Sequence, residues 1–280
     1  MLNPTGLVNG HYECRSFAES LPILKEFLAL EVVGETDGAK IVKHPNTGWR
    51  MIIHQNGDAA PIKSMRNHYG VRVMTNAEVD RATEYLEKRK NDFGIKVIKP
   101  RENHNAYSVH FYEPGGNYWE IESYENAVEH GMGETTNPHW SKPLPEERFA
   151  GKGYVPQALT HGTLENDDLA GSERFYKGAL GLEVIKLWPS SCYIKHADTP
   201  WYVVCIQAQN PNRPRLSRYQ RFTVGLDSQE AVHEAHRELT GSRESWQLRD
   251  LESIREANGA ASFIFADLNG NWWEITSAKA

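Results

Sequence analysis

One strand is written twice in this chain. Asn117-Tyr118-Trp119-Glu120-Ile121 returns as Asn271-Trp272-Trp273-Glu274-Ile275, 154 positions later. Each copy follows a turn, Glu113-Pro114-Gly115-Gly116 or Asp267-Leu268-Asn269-Gly270. His68-Tyr69-Gly70-Val71-Arg72-Val73 matches Arg221-Phe222-Thr223-Val224-Gly225-Leu226 at an offset of 153, and Trp49…Gln55 matches Trp201…Gln207 at 152. Three matches at nearly one spacing mean a duplicated domain. A chain of 280 residues gives each copy about 140, enough to bury a core of its own.

Each half divides again into an alternating strand, an amphipathic helix and three short strands. The first module starts with a strand at His11–Arg15. Its helix covers Ala18–Leu28, with Leu21, Leu24 and Leu28 on one face, and strands follow at Glu31–Val33, Lys40–Lys43 and Arg50–Gln55. The second starts at His68–Met74. Thr75 and Glu78 form a capping box for a helix carrying Val79, Ala82 and Leu86, and strands are expected at Lys96–Ile98, Ser108–Tyr112 and Tyr118–Ser123. The third module runs from His161 to Gln207. The fourth runs from Arg221 to Thr276, with Val232, Ala235 and Leu239 lining its helix. The expected division is a domain over 1–125, a Pro- and Gly-bearing linker over 126–157 and a domain over 158–280. His130, His139 and Trp140 in the linker are candidates to fold back over a site.

Composition removes several classes of function. The formal charge is −6 and the pI about 6.1, with no basic stripe to mark a nucleic-acid partner. No apolar run approaches a membrane span, and Met1–Gly10 does not read as a signal peptide, so a cytoplasmic protein without a membrane partner is expected. Cys14, Cys192 and Cys205 form no CxxC pair and read as buried thiols.

The α+β pattern, four βαβββ modules making two tandem domains, resembles the vicinal oxygen chelate superfamily. Ser172-Glu-Arg-Phe-Tyr-Lys-Gly-Ala-Leu-Gly-Leu182 is similar to its "S-x-x-F-Y-x-x-x-L-G-L" helix. Glu113-Pro-Gly-Gly-Asn-Tyr-Trp-Glu120 is similar to its "D-P-x-G-x-x-x-E" strand pair, with Glu for the usual Asp. The likeness covers nearly the whole chain. Its members include glyoxalases, epimerases, extradiol dioxygenases, thiol transferases and metal-free binders, so the fold alone does not decide function. The four-module length most resembles the type I extradiol dioxygenases, which hold Fe(II) through two His and one Glu.

The resemblance implies that metal ligands come from the first strand of each module in a pair and the last strand of the second. In the N-terminal half these positions give His11, His68 and Glu120. Helix-based alignment would put Asn9 in the place of His11, but Gly10-His11 begins the alternating strand. In the C-terminal half the positions give His161, Arg221 and Glu274. Arginine has no lone pair to donate, so an Arg221–Glu274 salt bridge and a degenerate site are expected there. His54 and His110 match Ile206 and Ile264 of the second copy, the pattern of one working half. By resemblance, His54 handles protons and steadies bound oxygen, or instead supplies a fourth ligand as in glyoxalase-like members. His110 stands where a substrate-binding Tyr is usual and can still donate a hydrogen bond or a proton. Tyr118, Trp119 and Trp49 are candidate pocket walls. The extradiol enzymes usually keep their metal in the C-terminal pair, so its N-terminal placement here is a departure.

The expected activity is extradiol-type ring cleavage of a catechol-like aromatic substrate by O₂, with Fe(II) as cofactor and catalytic His54 and His110. Zn, Mn or Ni are the alternative metals. The rivals are a metal-dependent isomerase, lyase or hydrolase of glyoxalase type and a non-catalytic binder of small molecules. A homo-oligomer stays open.

Overall fold

The computed structural model describes residues 1–60, 63–64, 66–103, 106–126, 142–197 and 199–278, without the side chains of 103 and 187. The linker candidates His130, His139 and Trp140 lie outside the described residues.

All four modules are present. The first is β1 (Gly6–Cys14), α1 (Phe17–Leu28), β2 (Glu31–Thr36), β3 (Ala39–Lys43) and β4 (Arg50–Gln55). The second is β5 (His68–Arg72), α2 (Asn76–Phe93), β6 (Lys96–Asn103), β7 (Ala106–Tyr112) and β8 (Tyr118–Ser123). The third is β9 (Ala158–Asn166), α3 (Leu169–Gly178), β10 (Glu183–Trp188), β11 (Ser191–Lys195) and β12 (Tyr202–Gln207). The fourth is β13 (Arg221–Gly225), α4 (Gln229–Gly241), β14 (Asp250–Leu251), β15 (Arg255–Ala257), β16 (Ala260–Ala266) and β17 (Trp272–Thr276).

Short-range chemistry sets the helix ends. Ser16 caps α1 by accepting from the Ala18 amide, and left-handed Ala29 closes it. The expected capping box opens α2: Thr75 accepts from the Glu78 amide, and the Glu78 carboxylate accepts from the Thr75 amide. Gly94, at φ 63°, ends that helix in a conformation that favours glycine. β1 begins at Gly6, earlier than expected, so His11 sits inside the strand.

The chain forms two compact units. One comprises Met1–Glu13, Trp49–His54 and Gly162–Ala280; the other comprises Cys14–Gly48 and Gln55–His161. The first unit therefore joins β1 and β4 of the first module to strands of the third and fourth.

In the first unit β1 runs antiparallel to β13, with Gly10 opposite Phe222. β13 runs parallel to β17, with Thr223 opposite Glu274, and β16 follows antiparallel. β10, β11 and β12 form an antiparallel run. The aromatic core includes Trp49, whose ring stacks against Trp201 and Phe222, so Trp49 is packed as core.

In the second unit β5 runs parallel to β8, pairing His68, Gly70 and Arg72 with Tyr118, Glu120 and Glu122. β7 lies antiparallel on β8, with His110 opposite Glu120. Alternation sorts the faces. Tyr69, Val71, Val109, Phe111, Trp119 and Ile121 form a buried apolar face, against which α2 packs with Val79, Ala82 and Leu86. Trp119 is thus core, while Tyr118 shares the face of Glu120. The other face carries His68, Arg72, Ser108, His110, Tyr118, Glu120 and Glu122, all buried. Burying that many polar groups costs free energy unless they are paired or bind something.

Candidate metal centre

Glu120 is the hub of the polar face. Its Oε2 lies 3.1 Å from Nε2 of His68 and 3.1 Å from Nε2 of His161, and its Oε1 lies 3.1 Å from Nε2 of His110. The two nitrogens of His68 and His161 are 3.4 Å apart. β5 supplies His68, β8 supplies Glu120, β7 supplies His110, and the start of β9, beside β5, supplies His161. These residues all belong to the second compact unit.

His161 approaches because Gly70 leaves room. A Cβ at Gly70 would stand 2.1 Å from Cε1 of the His161 ring. At the matching position of the other copy, Thr223 places its hydroxyl 3.0 Å from Nε2 of His11.

The charges follow from this packing. Burial works to raise the Glu120 carboxyl, but His110, His161 and His68 together hold it well below the usual carboxylate range. Burial lowers His68. Burial also works against the charged form of His161, yet Glu122 and Glu120 overcome it and push this imidazole up to about 9.

Two imidazoles and a carboxylate fit a divalent transition metal. Donors each about 2.1 Å from one ion stand roughly 3.0 Å apart at right angles and roughly 3.4 Å apart at tetrahedral angles. The separations of 3.1, 3.1 and 3.4 Å fall within that span. Among the described residues, His68, Glu120 and His161 are the one His/Cys/Asp/Glu group whose ligand atoms converge in this way.

The expected trio of His11, His68 and Glu120 is therefore redrawn: the structure brings His161 to His68 and Glu120. His11 lies in the first compact unit, with Nδ1 2.9 Å from Nε2 of His54 and Nε2 3.1 Å from Oε2 of Glu274. The expected Arg221–Glu274 pair is there, at 3.0 Å. Burial, helped by Arg221, brings His11 down to about 4, and burial with His11 brings His54 down to about 3. The physical reason is strand pairing: β1 pairs with β13 and β9 neighbours β5, so first strands serve the modules they lie beside in space. His54 accordingly stands with His11, and His110 stands with Glu120.

Sequence reasoning also passed over Glu122. The alternation Glu120-Ile121-Glu122 signals it, because both carboxylates of a strand so written share a face.

Solved structures have the same fold. Glyoxalase I from Zea mays matches over 96% of this chain and 91% of its own, with a TM-score of 0.66 at 14% identity. A proposed dioxygenase from Bacillus subtilis matches over 99% of this chain and 86% of its own, with a TM-score of 0.64 at 14% identity. This is the vicinal oxygen chelate fold. No family model matches the sequence, and no curated protein does. The His68, Glu120 and His161 set supplies donors that a divalent metal could use.

Proposed function

We propose that this protein is an extradiol-type ring-cleaving dioxygenase, with a divalent iron held by His68, Glu120 and His161. The observation that carries the reading is the donor set itself, two histidines and one glutamate. His68, Glu120 and His161 would hold such an ion by three donors, a set suited to an iron that also takes up a catechol-like diol. Iron, when bound, would supply the redox chemistry that lets O₂ react with the diol. In the overall reaction both oxygen atoms enter the product, and one ring carbon–carbon bond beside a hydroxyl breaks.

The protein's own residues bind, orient and move protons. Glu120 stays ionised, because three imidazoles surround it. His110, on the second oxygen of Glu120, passes a proton to or from a substrate oxygen. The Tyr118 hydroxyl is buried and has no hydrogen-bond partner among the described residues. Its ring lies 5.3 Å from that of His110 and 6.2 Å from that of His68. A buried hydroxyl without a partner costs free energy, and here it donates to an oxygen of the bound substrate.

An isomerase of glyoxalase type is the second reading, favoured by the fold shared with glyoxalase I from Zea mays. Metal analysis of anaerobically purified protein, followed by an oxygen-electrode assay with a panel of catechols, separates the two. Iron with catechol-dependent O₂ uptake is expected. Zinc or nickel, with no uptake for any catechol, would move the assignment to the isomerase class.

A further inference from the structure

The far side of His161 is as closely built as the side that faces Glu120. Nδ1 of His161 lies 3.2 Å from Oε1 of Glu122 and 3.2 Å from the hydroxyl of Thr160. The same Glu122 oxygen accepts from Nη2 of Arg72 at 2.7 Å and lies 3.2 Å from the Thr160 hydroxyl. Thr160 also reaches the carbonyl of Gly70, at 3.3 Å. Arg72 and Glu122 are both 2% exposed, and the Arg72 guanidinium lies 4.2 Å from the ring centre of Tyr124.

The other copy lacks this entire arrangement. Where the second unit has Gly70, Arg72, Glu122 and Thr160, the matching positions hold Thr223, Gly225, Thr276 and Gly10. A buried Arg–Glu pair does little for stability compared with apolar packing. Its presence around one histidine, and its replacement by small residues around the matching His11, ties it to what that histidine does.

We propose that Glu122, fixed by Arg72 and Thr160, is a positioning residue that makes His161 a metal donor through Nε2, in a slot that only glycine at position 70 leaves open. This rests on the reading that His68, Glu120 and His161 hold a metal. Glu122 takes the hydrogen of Nδ1, which leaves the lone pair of Nε2 directed at Glu120 and His68. The ionised carboxylate also makes the imidazole a stronger donor, and Arg72 keeps that carboxylate from turning elsewhere. Partners of this kind behind a ligating histidine are commonly worth about 10–100-fold in metal affinity.

The test is zinc binding to the full-length apo chain, measured by competition with a chromogenic chelator. Glu122→Gln should weaken zinc binding by about 10–100-fold with the far-UV circular dichroism spectrum unchanged. In the cobalt-loaded protein, the hyperfine-shifted Nδ1 proton resonance of His161 should move in that variant while those of His68 stay in place. Gly70→Ala should weaken zinc binding at least as much. Should Glu122→Gln fail to fold, Thr160→Val, which keeps the side chain's shape, carries the test with an expected loss of several-fold. Wild-type zinc affinity and an unmoved His161 resonance in a folded variant would overturn the proposal. A wild-type chain that binds no zinc, cobalt or iron would instead overturn the metal site itself.

Discussion

Oε2 of Glu120 lies 3.1 Å from Nε2 of His161, a residue 41 positions further along the chain and in another repeat. That contact joins the end of the second module to the start of the third. His68, His110 and His161 gather around Glu120, whereas His11 lies at Glu274 with His54 beside it.

The two sets should differ in metal dependence. His68→Ala and His161→Ala should each abolish stoichiometric metal, because two protein ligands hold a labile divalent ion weakly. Glu274→Gln and His54→Phe should leave the metal content at the wild-type level, since those side chains meet His11 and Arg221. Elemental analysis of the four purified variants checks this. Metal lost from Glu274→Gln but kept by His161→Ala would reverse the assignment.

Much of this was legible from the sequence, and the rest has a physical reason for staying hidden. The repeat marks four modules, the Thr75–Glu78 pair marks the start of α2, and the family resemblance points to His68 and Glu120 as donors. His161 was hidden because sequence adjacency does not tell which modules pair. β1 and β9 each carry a histidine within the strand, and only the observed pairing of β1 with β13 sends His11 to Glu274. Gly70 carries no chemical signal of its own. Its meaning comes from the ring that occupies its missing Cβ.

His110 should matter for turnover more than for metal. It touches Glu120 through the oxygen that does not face His68 and His161. His110→Ala should keep near-wild-type metal and lose about 10²–10⁴ in kcat, the usual worth of a positioned proton-transfer group. A variant that purified without metal would show that His110 is a ligand.

Tyr118→Phe should leave metal content and fold intact, because its hydroxyl has no hydrogen-bond partner among the described residues. It should reduce kcat/KM by about tenfold, equivalent to about 1.4 kcal/mol, within the usual range for one hydrogen bond. Unchanged kinetics with every active catechol would remove Tyr118 from the substrate's contacts.

The metal-free protein should be most stable near pH 6.5 so far as its histidines decide. His161 sits at about 9 in the folded chain against an ordinary 6.5. Its protonated form therefore adds stability that is fully present below about 6.5 and is lost as pH rises through about 9. His11 and His44, both deeply buried and each brought down to about 4 chiefly by burial, act in the opposite direction. Their stability is present above 6.5 and is lost as pH falls toward 4, on the order of 2 kcal/mol each by pH 5. Urea denaturation of the apo chain from pH 5 to 9 should trace both limbs, and His161→Gln should flatten the alkaline one. An alkaline limb that persists in His161→Gln would assign it to another group.

The proposed activity inserts both atoms of O₂ into a catechol-like ring. Its most direct test is turnover of an active catechol by the iron-loaded protein under oxygen-18 gas, with the ring-opened product weighed by mass spectrometry before its oxygens exchange. The account predicts a product heavier by two oxygen-18 atoms, formed one-for-one with the O₂ consumed and absent under nitrogen. A product of unchanged mass, or turnover that proceeds equally well without oxygen, would contradict it.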